Sequence, residues 1–153
     1  MSDQHKIIAQ NKKARHDYQI LDTFEAGICL LGSEVKSCRQ GGVSLMDCYA
    51  RIDKNEIYLI NAHISPYKFA NRLNHDPLRK RKLLFHRLEI RKFHGKLREK
   101  GQSLIPLKIY FNNRGKIKVE LALAKGKKNY DRREDIKKRD MKRDAEQDLK
   151  QRR

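Results

Sequence analysis

Apolar and polar positions alternate most clearly between residues 105 and 123. Ile105, Leu107, Ile109 and Phe111 share one parity, and Ile117, Val119, Leu121 and Leu123 share one parity after the turn Asn112-Asn113-Arg114-Gly115. Alternation on both arms of a loop predicts a half-buried antiparallel hairpin. Cys48–Ile52 and Ile57–Ala62 form a second, shorter pair across the turn Asp53-Lys54-Asn55-Glu56. Tyr18, Ile20 and Phe24 lie on one parity of a further strand, and Ala26–Leu31 is a short apolar run. Ser33 is placed to cap a short helix through EVKSCRQ, which Gly41 and Gly42 stop. Pro66 and the segment ANRLNHDP at 70–77 read as loop.

Residues 79–101, RKRKLLFHRLEIRKFHGKLREKG, split in two. Ile90, Phe93 and Leu97 make one helical stripe, but Leu84, Phe85 and Leu88 point elsewhere at about 100° per residue. The helix is therefore expected to begin after His86, with Glu89 at its third position as half of a capping box, and 81–85 to be extended. Several short antiparallel strands with a helix inserted midway suggest a mainly β fold, an OB-type antiparallel barrel of about six strands with short flanking helices. An open α+β sheet is the alternative, and periodicity does not decide between them.

The ends read differently. Residues 1–14 are polar and basic without periodicity and predict a flexible basic arm before a globular unit at 15–128. Within 131–153 the only aliphatic, Met or Ala positions are Ile136, Met141, Ala145 and Leu149, too little apolar surface to offset chain entropy. Yet Glu134/Lys138, Asp135/Arg139, Glu146/Lys150 and Asp148/Arg152 place acid before base at i,i+4, each pair adding only about 0.2–0.5 kcal/mol. The expectation for 129–153 is a tail disordered alone and helical once a partner supplies a surface.

Charge narrows the function. Lys and Arg total 37 against 19 Asp and Glu, a net charge of +18 on 153 residues, which points to a polyanionic partner, most often nucleic acid. No apolar run approaches the ~20 residues of a spanning helix, and no segment shows the bulky apolar face of a membrane-surface helix. The start MSDQHKIIAQNKKARHDYQ lacks the apolar core of a secretory signal. Cys29, Cys38 and Cys48 form no CxxC pair and read as reduced thiols, so a cytoplasmic location is expected.

The six histidines and three cysteines fall in no HExxH, CxxC or GxSxG spacing, and there is no P-loop or GxGxxG. His63, at a strand end, reads as structural. Glu25 and Glu34 are the one candidate carboxylate pair. No enzyme, cofactor or metal reading emerges. Three basic clusters do: Lys12-Lys13-Ala14-Arg15, Arg79-Lys80-Arg81-Lys82 and Lys125-Gly126-Lys127-Lys128. Tyr18, Tyr67, Phe85 and Tyr130 lie beside them, as stacking on unpaired RNA bases requires, although core burial is as good an account of Tyr18 and Phe85. Gly126 lets backbone amides approach a phosphate closely.

Six blocks in order, NKKARHDYQI, EAGICLLGSEVKSCRQG, YARIDKNEIYLINAHISPY, NHDPLRKRKLL, EI-x-x-F-x-G-K and AKGKKNYDRR, resemble the SmpB family of SsrA-binding proteins, from about Ala9 to Arg139. The resemblance implies an OB-type barrel without catalysis, and a monomer. It implies binding to the tRNA-like domain of transfer-messenger RNA (tmRNA), a complex with elongation factor Tu through that RNA, and delivery to the empty A site of a stalled ribosome for trans-translation. The tail then enters the decoding centre and vacant mRNA channel as a helix. By motif match Asn11, Glu25, Leu84, Lys125, Gly126, Lys127 and Lys128 fall where the family contacts tmRNA; Lys12, Arg15, Lys36, Arg81 and Lys82 complete that candidate set. Glu25 either accepts from a base amino group or 2′-hydroxyl or orients a neighbouring arginine. Tyr130, Asp131, Arg132, Arg133, Lys137 and Arg139 are implied at the decoding centre and mRNA channel. Arg132 stands where the family usually carries Lys, and Asp148-Leu149 where some relatives carry an adjacent apolar pair.

Overall fold

The computed structural model describes residues 5–70, 74–99 and 101–151, without the side chains of 129, 130 and 151. In chain order the elements are β1 (Lys6–Gln10), α1 (Ala14–Asp17), β2 (Tyr18–Ile28), α2 (Gly32–Arg39), β3 (Val43–Ser44), β4 (Tyr49–Asp53), β5 (Glu56–Ile60), β6 (His63–Ile64), β7 (Arg81–Leu84), α3 (Arg87–Leu97), β8 (Gln102–Phe111), β9 (Ile117–Gly126) and α4 (Asn129–Gln151).

The main sheet runs β1-β8-β4-β5-β7-β2-β9, and β9 pairs back onto β8. That last pairing closes β8, β4, β5, β7, β2 and β9 into an antiparallel ring of six strands, so the barrel expectation holds over the open sheet. Closure removes the exposed edges that so short a set of strands would otherwise leave unpaired. The long hairpin β8–β9 lies where its alternation predicts it. The β4–β5 turn is tighter than expected: Lys54 and Asn55 alone span it at φ 48° and 62°, the positive pair that a two-residue type I′ turn needs.

The barrel interior holds Ala26, Ile57, Leu59, Leu83, Leu104, Ile109, Val119, Leu121 and Leu123. Helix α3 closes one end with the expected stripe of Ile90, Phe93 and Leu97. Phe93 meets Phe24 and Phe85 edge-on at 4.7 and 5.2 Å, pairs that each add about 0.5–1.5 kcal/mol beyond area. Phe85 is therefore core and not a stacking surface. The predicted start of α3 stands: Glu89 accepts the His86 N–H at 2.9 Å.

A smaller core outside the ring is made by Ala14, Ile105, Leu107, Ala122 and Ala124, with Tyr18 and Ile20 packed against it. Strand parity alone misplaces this group. β2 is irregular between Ile20 and Asp22, and β8 between Pro106 and Lys108. One extra residue flips the facing of everything after it. Tyr18 and Ile20 thus face the outer cluster while Phe24 faces inward, and Ile105 and Leu107 part from Ile109 in the same way.

Three expectations need correction. Lys6–Gln10 is a strand on the free edge of β8, with Lys6 opposite Phe111, and Ala14 is buried, so the stretch 5–14 is not a free arm. Main-chain pairing holds it, which side-chain periodicity does not register. Ser33 does not cap α2: Leu31 is the N-cap residue, and its N–H donates to the Glu34 carboxylate at 2.8 Å. Asn129–Gln151 is one helix and not a disordered tail. It is about 34 Å long at 1.5 Å per residue, and Ile136, Met141 and Leu149 are all exposed. The i,i+4 spacing of acids and bases in its sequence, and not burial, favours the helix.

Candidate nucleic-acid interface

Basic residues far apart in sequence converge where β2 begins and β9 ends. Gly126 lies opposite Tyr18 and Lys125 opposite Gln19. The Lys127 N–H donates to the Asp17 carbonyl at 3.0 Å, and its ammonium to the Arg15 carbonyl at 3.1 Å. Lys12, Lys13, Arg15, Lys125 and Lys128 are exposed around this seam. Two of the three basic clusters therefore form one surface. A side chain at Gly126 would meet no atom within 4 Å, so no packing inside the protein demands glycine there.

Two predicted contacts in this group are engaged internally. Asn11 donates its N–H to Leu107 at 2.7 Å and its amide to Pro106 at 3.2 Å, and its Oδ1 accepts the Ala14 N–H at 3.2 Å. It shapes the loop that carries Lys12 and Arg15. Lys127 also donates to the Asp135 carboxylate on α4, and that hydrogen bond holds Asp135 below the ordinary carboxylate range. Lys127 ties the body to the helix. Asp17 is likewise held low, first by its 2.9 Å contact with His16.

Glu25 and Leu84 share a second face. Leu84 lies opposite Gly27, two positions along β2 from Glu25, and residues two apart point the same way. A Cβ at Gly27 would stand 3.1 Å from Leu84 Cδ1. Leu84 is 52 % exposed, an apolar side chain left uncovered on this face. Glu25 is exposed and accepts a hydrogen bond from the buried Tyr110 hydroxyl. Burial, and next that bond, push the Tyr110 phenol up. Among the described residues no arginine is a partner of Glu25, and Tyr110 orients it. Lys108, with its amine 5.4 Å over the Tyr110 ring, pairs with Glu120 at 2.9 Å. Sequence reading missed Tyr110 and Lys108, whose parity opposite Ile109 was the available signal.

The third basic cluster divides. Arg81 is fully buried and is not an RNA contact. Its Nε donates to Glu34 Oε1 at 2.8 Å and its terminal nitrogens to the carbonyls of Ala62, Arg79 and Pro77 at 2.6, 2.9 and 3.2 Å. Arg79 reaches the same carboxylate at 2.8 and 3.1 Å. Burial raises the Glu34 carboxyl, but bonds from Arg79 and the Leu31 N–H, with the Arg81 charge, outweigh it and hold the group below 4.5. Glu25 and Glu34 thus have separate partners and form no pair. Beside this group His75 binds the Ile64 carbonyl and the Ser33 hydroxyl, both at 2.9 Å. A carbonyl only accepts, so Nε2 donates to Ile64, and in the neutral ring Nδ1 accepts from the Ser33 hydroxyl. These polar bonds pin the connection between β6 and β7, whose Phe69 and Leu78 stay exposed and give it no apolar core. Lys82 is half-buried and paired with Glu56 at 2.6 Å. Lys36 is exposed on α2, its amine 5.5 Å from the Tyr67 ring.

On α4, Asp131, Arg133, Lys137 and Arg139 are exposed and Arg132 is half-buried; the Tyr130 side chain lies outside the described residues. Among the described residues no three His, Cys, Asp or Glu gather as metal ligands. Burial pushes the Cys38 and Cys48 thiols up to about 11 and about 12, while Cys29 is exposed.

The family model described as SmpB protein matches residues 8–151. The SsrA-binding protein of Symbiobacterium thermophilum is 61 % identical over 137 residues, covering 90 % of this chain and 87 % of that one. That of Moorella thermoacetica is 55 % identical over 152 residues, covering 99 % and 98 %. A solved chain described under "tmRNA-SmpB: a journey to the center of the bacterial ribosome" is 54 % identical, with a TM-score of 0.66, covering 78 % of this chain and 84 % of that chain. With a closed barrel, a basic seam at its β2–β9 end and an exposed helix leaving that seam, the chain belongs to the SmpB family.

Proposed function

We propose that this chain binds the tRNA-like domain of tmRNA and carries it to stalled ribosomes for trans-translation. The observation that carries the reading is the seam of Lys12, Arg15, Lys125 and Lys128 at the root of the exposed helix α4, in a chain whose relatives are SsrA-binding proteins. The work is affinity and placement, with no covalent step. The body holds RNA through the seam and through the face of Glu25 and Leu84. Helix α4 extends from it toward the decoding centre and mRNA channel, with Tyr130, Asp131, Arg132, Arg133, Lys137 and Arg139 as its contacts. Elongation factor Tu joins through the RNA, and the protein acts as a cytoplasmic monomer.

The test is a titration with tmRNA, its isolated tRNA-like domain and an unrelated structured RNA of equal length, at two salt concentrations. Bare electrostatics gives a slope of roughly −0.7 to −0.9 per phosphate neutralised and little preference. Preference for the tRNA-like domain at the higher salt is the expected result; equal binding, lost together with salt, would sink the adaptor reading. In the same assay Glu25→Ala should weaken binding by at least about five-fold, the cost of a hydrogen bond left unmade. A change confined to the salt slope would mean that Glu25 reads no RNA group.

A further inference from the structure

Phe69 is the most exposed large hydrophobic residue among those described, at 77 %. It stands beside Tyr67 in a T-shaped pair, centroids 5.7 Å apart at 68°. The frame beneath is fixed. The Asn74 side chain accepts the Tyr67 N–H at 3.2 Å and donates to the Tyr67 carbonyl at 3.0 Å, and the Ala70 N–H donates to that carbonyl at 3.1 Å. His75, next in the chain, is locked by Ile64 and Ser33. A free phenylalanine ring is thus held out on a pre-organised support, which lowers the ordering cost of binding.

The surroundings select the ligand. Lys68, next to Phe69 in the chain, is exposed, and Lys36 on α2 holds its amine over the Tyr67 ring, 5.5 Å from its centroid. Of the nearby acids, Glu34 is buried and taken up by Arg79 and Arg81. The Asp76 carboxylate accepts the Leu78 N–H. An uncovered ring with one lysine beside it in the chain and another over its aromatic partner suits a base with its phosphates better than an apolar protein surface. Resting on the RNA-binding reading above, we propose that Phe69, supported by Tyr67, is a stacking platform for an unpaired RNA base, with Lys36 and Lys68 on the flanking phosphates. This surface lies on the β6–β7 connection, separate in sequence from both the basic seam and the face of Glu25.

The chain contains no tryptophan, so Phe69→Trp in the full-length protein is a single reporter. It is titrated with a single-stranded RNA dodecamer and with an RNA duplex of equal phosphate count, while anisotropy of the labelled RNA reports binding independently. The expected result is quenching by the single strand and not by the duplex. Phe69→Ala should weaken single-strand binding at least about five-fold, with duplex affinity and melting temperature unchanged, and Phe69→Tyr should restore it. Both RNAs bound with no quenching, and no loss in Phe69→Ala, would overturn the platform and leave RNA binding standing. Neither RNA bound would overturn the RNA-binding reading itself. Loss of tagging in Phe69→Ala with unchanged single-strand affinity would assign the ring to a protein partner and also overturn the proposal.

Discussion

Removing residues 131–153 is expected to leave tmRNA affinity nearly intact and to abolish tagging of stalled peptides. The segment holds ten basic and seven acidic residues, so all but +3 of the net +18 stays with the body. The seam residues Lys12, Arg15, Lys125 and Lys128 all precede the cut. Ile136, Met141 and Leu149, the large apolar side chains of the removed segment, are all exposed, so the barrel loses no core with them. The described ties between helix and body are the pair of Lys127 and Asp135 and the charge of the half-buried Arg132 acting on Asp17, and loss of the first frees an ammonium at the basic seam. Gel-shift or anisotropy titration reads the first half of the prediction, and a tagging assay on stalled ribosomes the second. Equal loss of both would show that the helix belongs to the RNA site and that the division into body and tail is wrong.

Glu34→Gln is expected to destabilise the fold by about 3–5 kcal/mol, the range for removing one partner of a buried ion pair, and to lower the melting temperature by on the order of 10 °C. Two guanidinium groups converge on this carboxylate, and Arg81 has no exposed surface through which to recover hydration. Amide for carboxylate keeps the volume and removes the charge, so the loss reads electrostatics and not a cavity. The pH dependence has a defined sign. The folded carboxyl lies below its ordinary value of 4.5. Its contribution is therefore fully present above that pH and fades as acid carries the solution through the folded value. Thermal melts of both proteins from neutral pH downward should converge in acid. A neutral-pH difference under about 1 kcal/mol would mean that the carbonyls around Arg81, and not Glu34, secure the β6–β7 connection.

What was legible in the sequence followed from local rules. The hairpin at 105–123 and the start of α3 were readable because alternation and a glutamate three residues past an N-cap act over a few residues. The basic clusters were readable as charge, but their fates were not. Arg81 and Lys82 are adjacent, and one is buried while the other is half-exposed. Which one turns inward depends on Glu34, 47 positions away.

The sequence by itself determined the strand periods, the helix start at Arg87, the excess of positive charge and the family. Each is a property of neighbours in the chain or of residue identity. Only the tertiary structure decided closure of the ring, because β9 completes it by pairing with both β2 and β8. It also decided which face follows Leu21 and Leu107, since one extra residue in a strand reverses every later side chain without altering the pattern of residue types. Finally it brought Arg15 to Lys127 and Glu25 to Tyr110, across 112 and 85 positions. Contacts at such separations form only when the barrel is folded, and they decide which charges remain free to meet RNA.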